Sequence, residues 1–118
     1  MATIKSYTDL QQSKKLAEIL PLESADMVYV HTTDLEGDEH YDIDFRRNQP
    51  LFEDDVCAWS LAALLGVLPK IVNNETLFIE TSAALWHVGY RNIYIARADN
   101  PIDACYKIII RLNELKML

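Results

Sequence analysis

Glu80 and His87 are the one acid–base pair that this sequence allows to be placed face to face. If the chain turns at Ala83-Ala84, the two side chains stand directly across a strand pair, where Cβ atoms lie about 5 Å apart. A carboxylate at that distance favours protonated imidazole and can orient the ring as a general base. A nucleophile is missing from the arrangement. Ser82 lies two residues along the same strand as Glu80, and Cys57 falls in an apolar run. The pair therefore reads first as a surface cross-strand ion pair. A small hydrolase-like enzyme built on Glu80 and His87 is the alternative.

The other two histidines, His31 and His40, flank an acidic turn and could meet across a hairpin with Asp42 nearby. Zinc requires three or four ligands in fixed geometry, and this pattern offers two, so no metal site is expected. DLEGDEHYDID has the acids of a calcium loop, but its glycine comes at the fourth position and the closing glutamate is absent. A solvated acidic hairpin tip accounts for it. Gly37, Gly66 and Gly89 stand apart from one another, which leaves no glycine-rich phosphate loop, and no cofactor is expected. The only two cysteines, Cys57 and Cys105, lie in apolar stretches and read as buried free thiols, as expected of a cytoplasmic protein.

Around Glu80 and His87 the pattern predicts three consecutive strands: Thr76 to Ser82, Leu85 to Tyr90 and Ile93 to Ala98. Turns at Ala83-Ala84 and Arg91-Asn92 place Leu77, Ile79, Trp86, Val88, Tyr90, Ile93 and Ile95 on the core face. Phe78, Glu80, His87, Gly89, Tyr94 and Ala96 fall on the other. Phe78 and Tyr94 would then cover the bare backbone of Gly89, with Glu80, His87 and Arg91 as a polar rim. An aromatic centre with such a rim suits a protein partner or a homodimer.

The elements that must position these residues follow from periodicity and caps. Thr8 with Gln11 fits a capping box for a helix over Thr8 to Leu20, stopped by Pro21. Met27 to Thr32 and Tyr41 to Phe45 read as a hairpin, the second strand alternating Tyr41, Ile43 and Phe45 with Asp42 and Asp44. Asn48 to Leu51 reads as a loop. Val56 to Pro69 carries no charge and reads as the central buried helix, capped by Asp54 or Asp55. Asn100, Pro101 and Asp103 start the last helix, whose stripe is Cys105, Ile108, Ile109, Leu112 and Leu115. The expected fold is a single α+β domain over residues 1–118, in the order α-β-β-α-β-β-β-α. An antiparallel sheet would carry its helices mainly on one face.

Charge narrows the partners. Between Asp34 and Asp55 lie nine acids and two bases, the whole of the chain's net charge of −7. The acidic patch proper is Asp34, Glu36, Asp38, Glu39, Asp42 and Asp44. With no basic stripe, direct nucleic-acid binding is not expected. The longest apolar run is shorter than the roughly 20 residues of a membrane span, and MATIKSYTDL has no export pattern, so no membrane association is expected.

SKKLAEILPLESADM (Ser13 to Met27), CAWSLAALLGVLPK (Cys57 to Lys70) and DNPIDACYKIIIRLNELKML (Asp99 to Leu118) resemble blocks in small uncharacterised proteins of gut Bacteroides, their prophages and related mobile elements. The resemblance implies an intracellular bacterial or phage accessory protein and carries over no activity or catalytic residue. The function expected from all of this is a non-enzymatic interaction module that uses the sheet face or the acidic hairpin to meet an as yet unidentified protein partner. Mimicry of nucleic acid by the acidic segment ranks last, because Asp42 and Asp44 lie about 6.6 Å apart along a strand, while duplex DNA carries a charge per roughly 1.7 Å of axis.

Overall fold

The structure is a computed structural model that describes residues 5–46 and 51–118. Most of the loop expected at Asn48 to Leu51, and the first four residues of MATIKSYTDL, lie outside the described residues.

The central element is α3 (Pro101–Glu114), not the apolar run before it. Asn100 caps α3 by accepting from the Asp103 N–H at 2.8 Å, and Pro101 opens it, both as the sequence predicts. Ile102, Cys105, Ile108, Ile109 and Leu112 recur at helical spacing and are fully buried. They pack on one face of an antiparallel meander formed by β6 (Phe78–Ser82), β7 (Leu85–Tyr90) and β8 (Tyr94–Ala98). Val88, Tyr90, Ala96 and Ala98 meet the helix there, and the two alanines leave room for its close approach.

The run from Val56 to Pro69 is two elements. β3 (Val56–Ala58) is a strand, and α2 (Leu61–Val67) is a helix capped by Ser60, whose hydroxyl accepts from the Ala63 N–H at 3.3 Å. Asp54 and Asp55 do not cap it. A fully buried strand is as uniformly apolar as a buried helix, so periodicity cannot separate them. The deciding contacts come from far along the chain. Thr8 donates its N–H to the Trp59 carbonyl at 3.0 Å, and its hydroxyl accepts from the Trp59 N–H at 3.1 Å. Both bonds hold the backbone extended at the point where a helix would otherwise continue.

Thr8 is thereby removed from its expected capping role. It is fully buried and shares a 2.7 Å hydrogen bond with the Ser13 hydroxyl. Asp9 caps α1 (Leu10–Ala17) instead and forms the capping box with Gln12. From α1, Gln12 donates to Asp103 at 2.8 Å, and Lys5 reaches the same carboxylate at 2.8 Å. Burial alone would raise the Asp103 carboxyl. The hydrogen bonds from Lys5, Gln12 and Asn100, with the Lys5 charge, hold it below its ordinary value.

β1 (Met27–Thr33) and β2 (Glu39–Phe45) form an unbroken seven-pair hairpin, and β3 adds to the base of β1 opposite Met27, Val28 and Tyr29. A short hairpin of β4 (Ile71–Val72) and β5 (Glu75–Thr76) precedes the meander. The expected strand from Thr76 is thus divided between two sheets. The architecture is α+β with antiparallel sheets and the expected order of main elements, although the strands form three sheets rather than one. No helix among the described residues is long and apolar enough to cross a membrane.

Both cysteines are free and buried. Burial pushes the Cys105 thiol up to about 12 and raises that of Cys57 as well.

Candidate interaction surfaces

The meander has one covered and one open face. The turn at Ala83-Ala84 pairs Ser82 with Leu85, so Ile79 faces Val88, Glu80 faces His87 and Phe78 faces Gly89, the register the sequence predicts. Both alanines take positive φ, +53° and +63°, as a two-residue turn between right-twisted strands demands.

The second turn differs from expectation by one residue. Tyr90 pairs with Tyr94, leaving Arg91, Asn92 and Ile93 between them. Asn92 takes φ +64°, and the Ile93 N–H donates to the Tyr90 carbonyl at 3.2 Å. A one-residue shift reverses the facing of a whole strand. Val88 therefore pairs with Ala96 rather than Ile95, and Gly89 with Ile95 rather than Tyr94. Ala96 belongs to the core. Tyr94 stands on the helix side, where the Arg111 guanidinium lies 5.5 Å from its ring centre. The expected cluster of Phe78, Gly89 and Tyr94 is thus divided between two faces, and Ile95 takes the place of Tyr94.

Gly89 is explained by backbone, not by aromatic cover. A Cβ at that position would collide with the Tyr94 carbonyl oxygen and lie 2.8 Å from the Ile95 Cα. The open face carries an apolar row, Phe78, Gly89 and Ile95, beside a charged row, Glu80, His87 and Arg97. The Arg91 guanidinium lies over the Phe78 ring, 4.7 Å from its centre, and within 4.0 Å of the Glu80 carboxylate. The His87 ring nitrogen meets the Ser82 carbonyl, not its hydroxyl, at 3.4 Å. Glu80 and His87 are register partners, but the hydrogen bonds and ion pairs described place no nucleophile on the imidazole.

The first hairpin is an arm. Its base is fastened: the Tyr29 hydroxyl donates to the Thr8 carbonyl at 2.8 Å, the Arg46 N–H donates to the Asp26 carbonyl at 3.0 Å, and β3 pairs alongside. Beyond Tyr29 the strands have, among the described residues, only each other as ladder partners. One face carries Tyr29, His31, Tyr41, Ile43 and Phe45, and the other Val30, Thr32, His40, Asp42 and Asp44. His31 and His40 therefore point to opposite faces and cannot share a metal. Antiparallel pairing sets His31 against Tyr41 and His40 against Thr32, whereas a shared site would need the histidines in one row. His31 lies 3.6 Å from Glu39 and packs edge-on to Tyr41, while His40 lies 3.4 Å from Asp42. No group of three metal-ligating side chains occurs among the described residues.

Within the acidic patch the six carboxylates have unequal tasks. Asp34 closes the turn by accepting from the Glu36 and Asp38 N–H groups, each at 2.9 Å. Gly37 supplies the positive φ that the turn needs, at +86°. Glu36, Asp38, Glu39, Asp42 and Asp44 are exposed. Apolar residues are displayed beside them. Phe45 is 73% exposed and Leu35, at the tip, is completely exposed. The alternation of Tyr41, Ile43 and Phe45 is visible in the sequence, but alternation does not tell that Tyr41 and Phe45 stay exposed.

Comparison with protein-family models, with curated proteins and with solved structures returned no match.

Proposed function

We propose that this chain is a protein-interaction module that meets its partner through the β1–β2 arm. The observation that carries this reading is the length of hairpin retained outside the core. The molecule measures 53 × 34 × 22 Å, and its radius of gyration is 15.7 Å. A compact chain of this length would have about 13.5 Å. An isolated hairpin is marginally stable in water, and ordering its residues costs conformational entropy that the arm recovers poorly, because its outer half buries little. A hairpin that adds little to the core while displaying Leu35, Tyr41 and Phe45 is suited to contact with something else.

The open face of the meander supports a second reading. Its apolar row of Phe78 and Ile95, rimmed by Glu80, His87, Arg91 and Arg97, has the composition of a modest protein contact. On either reading the chain acts as an accessory protein inside a bacterial or phage-infected cell, in line with the resemblance of its three sequence blocks. Catalysis by Glu80 and His87 has less support, because Glu80 pairs with Arg91 and His87 with a carbonyl.

Three forms of the protein separate these readings in affinity capture from the source organism: wild type, Tyr41→Ser with Phe45→Ser, and Phe78→Ser with Ile95→Ser. The expected outcome is a protein held by wild type and by the meander variant but lost from the arm variant. The reverse pattern transfers the function to the meander. Retention by both variants overturns both surfaces.

A further inference from the structure

The arm ends in an edge. In the sheet order β2-β1-β3, one side of β2 is paired with β1, and no described strand pairs with the other. Half of the backbone N–H and C=O groups of β2 point away from β1, as those of any edge strand do. Natural edges are usually blunted by a proline, a bulge, an inward-pointing lysine or a short length. β2 has seven residues in unbroken register, with no proline, no lysine and no bulge. Its defences are negative charge and, at its end, the Asp44 carboxylate, which accepts from the Phe45 N–H at 2.8 Å.

We propose that this edge takes up an extended segment of a partner protein in which lysine or arginine alternates with apolar residues. The inference rests on the arm being the interaction element and goes further by stating the partner's chemistry. A strand added to β2 presents alternate side chains to the two faces of the arm. On one face its side chains meet Tyr41, Ile43 and Phe45, which are at least partly exposed. On the other they meet His40, Asp42 and Asp44. Apolar residues fit the first row and cations the second, so the complementary sequence alternates with a period of two.

The same charges exclude a second copy. From Met27 to Phe45 the arm holds six carboxylates and no lysine or arginine. Two arms joined edge to edge in the antiparallel register that uses the whole strand would set Asp42 against Asp42. Like charges directly opposite one another are unfavourable in a sheet. The described strands of the chain offer no substitute, because among the described residues the only lysine or arginine within a strand is Arg97 of β8. The edge is therefore closed to itself and open to a cationic strand.

The test uses the whole protein and four synthetic fluorescein-labelled peptides, read by fluorescence anisotropy at two salt concentrations. One alternates lysine and valine. The second has the same composition in blocks, the third alternates glutamate and valine, and the fourth is the first with alternate backbone nitrogens methylated. The alternating lysine peptide is expected to bind and the other three to bind at least about tenfold more weakly, since ladder bonds and row matching are both needed. Asp42→Asn with Asp44→Asn, both at exposed positions, should weaken binding by about tenfold and flatten its salt dependence. Amide resonances of Glu39 to Phe45 should shift on binding, with those of the meander unchanged. Equal binding of the blocked or methylated peptide would reduce the effect to charge attraction and overturn the proposal. Failure of the alternating peptide to bind, or shifts confined to the meander, would overturn it too. If the arm variant still loses its captured partner in either case, the arm remains the interaction element and only the partner's chemistry is wrong.

Discussion

The sheet that carries the arm and the meander are both three-stranded and antiparallel, and they stand in opposite relations to the core. The meander gives one face to α3 and buries Val88, Tyr90, Ala96 and Ala98 beneath it. The arm has no helix against its outer half, and its edge strand, β2, leaves Phe45 73% exposed. The meander therefore contributes a buried face to the core, whereas the arm leaves Leu35 and Phe45 largely in solvent. Apolar area removed from water stabilises by roughly 25 cal/mol per Å², so residues of similar size in the two sheets should differ widely in what they contribute.

The largest expected effect tests that contrast directly. Ile109→Ala, under the meander, should lower stability in urea unfolding by about 2–5 kcal/mol. Phe45→Ala, on the arm, should change it by no more than about 0.5 kcal/mol. Comparable losses would mean that the arm is part of the core in solution, and the comparison would collapse.

A smaller effect sharpens the account of how the meander keeps its register. Gly89→Ala brings a methyl against the β8 backbone and should cost about 1–3 kcal/mol, because backbone cannot yield as a side-chain tip can. His87→Ala, its neighbour on the same open face, should fall within about 0.5 kcal/mol. If the two variants were equally mild, close approach of β8 would not be what demands glycine there.

The smallest effect concerns the turns. Asn73-Asn74 and Ala83-Ala84 both take positive φ at two successive residues, but only asparagine tolerates that conformation well. Ala83→Asn with Ala84→Gly should stabilise the protein by about 1 kcal/mol in the same assay. An unchanged or lower stability would mean that this hairpin adopts another turn in solution.

Much of the meander was legible before any coordinates. The pairing of Glu80 with His87 follows from two strands of opposite alternation around a two-residue turn, and the chain kept that turn even with alanines in it. The pairing after Tyr90 was not legible. Arg91-Asn92 can close a two-residue turn or begin a three-residue one, and the choice depends on partly buried Ile93 and on the Asn92 amide reaching Glu75 at 3.0 Å. That one residue moved Ala96 into the core and Ile95 out of it, and divided the surface expected around Phe78, Gly89 and Tyr94. The acidic patch was legible as composition, but its division of labour was not: Asp34 closes a turn, whereas on β2 Asp42 accepts from the Thr32 hydroxyl at 3.2 Å and Asp44 from the Phe45 N–H at 2.8 Å.

Local signals determined what contiguous residues can settle by themselves. The Asn100-Pro101 start of α3, its buried stripe, the alternation of β2, the confinement of charge to one segment and the α+β class all depend on neighbours within a few positions. Tertiary structure decided the rest. Val56 to Ala58 became a strand because Thr8, 51 residues before Trp59, bonds to the backbone just beyond it. Gly89 is needed because β8 passes against it. Tyr41 and Phe45 remain exposed because no other described element lies across them. A pattern records which side chains share a face, but whether that face meets a helix or water depends on where distant elements come to rest.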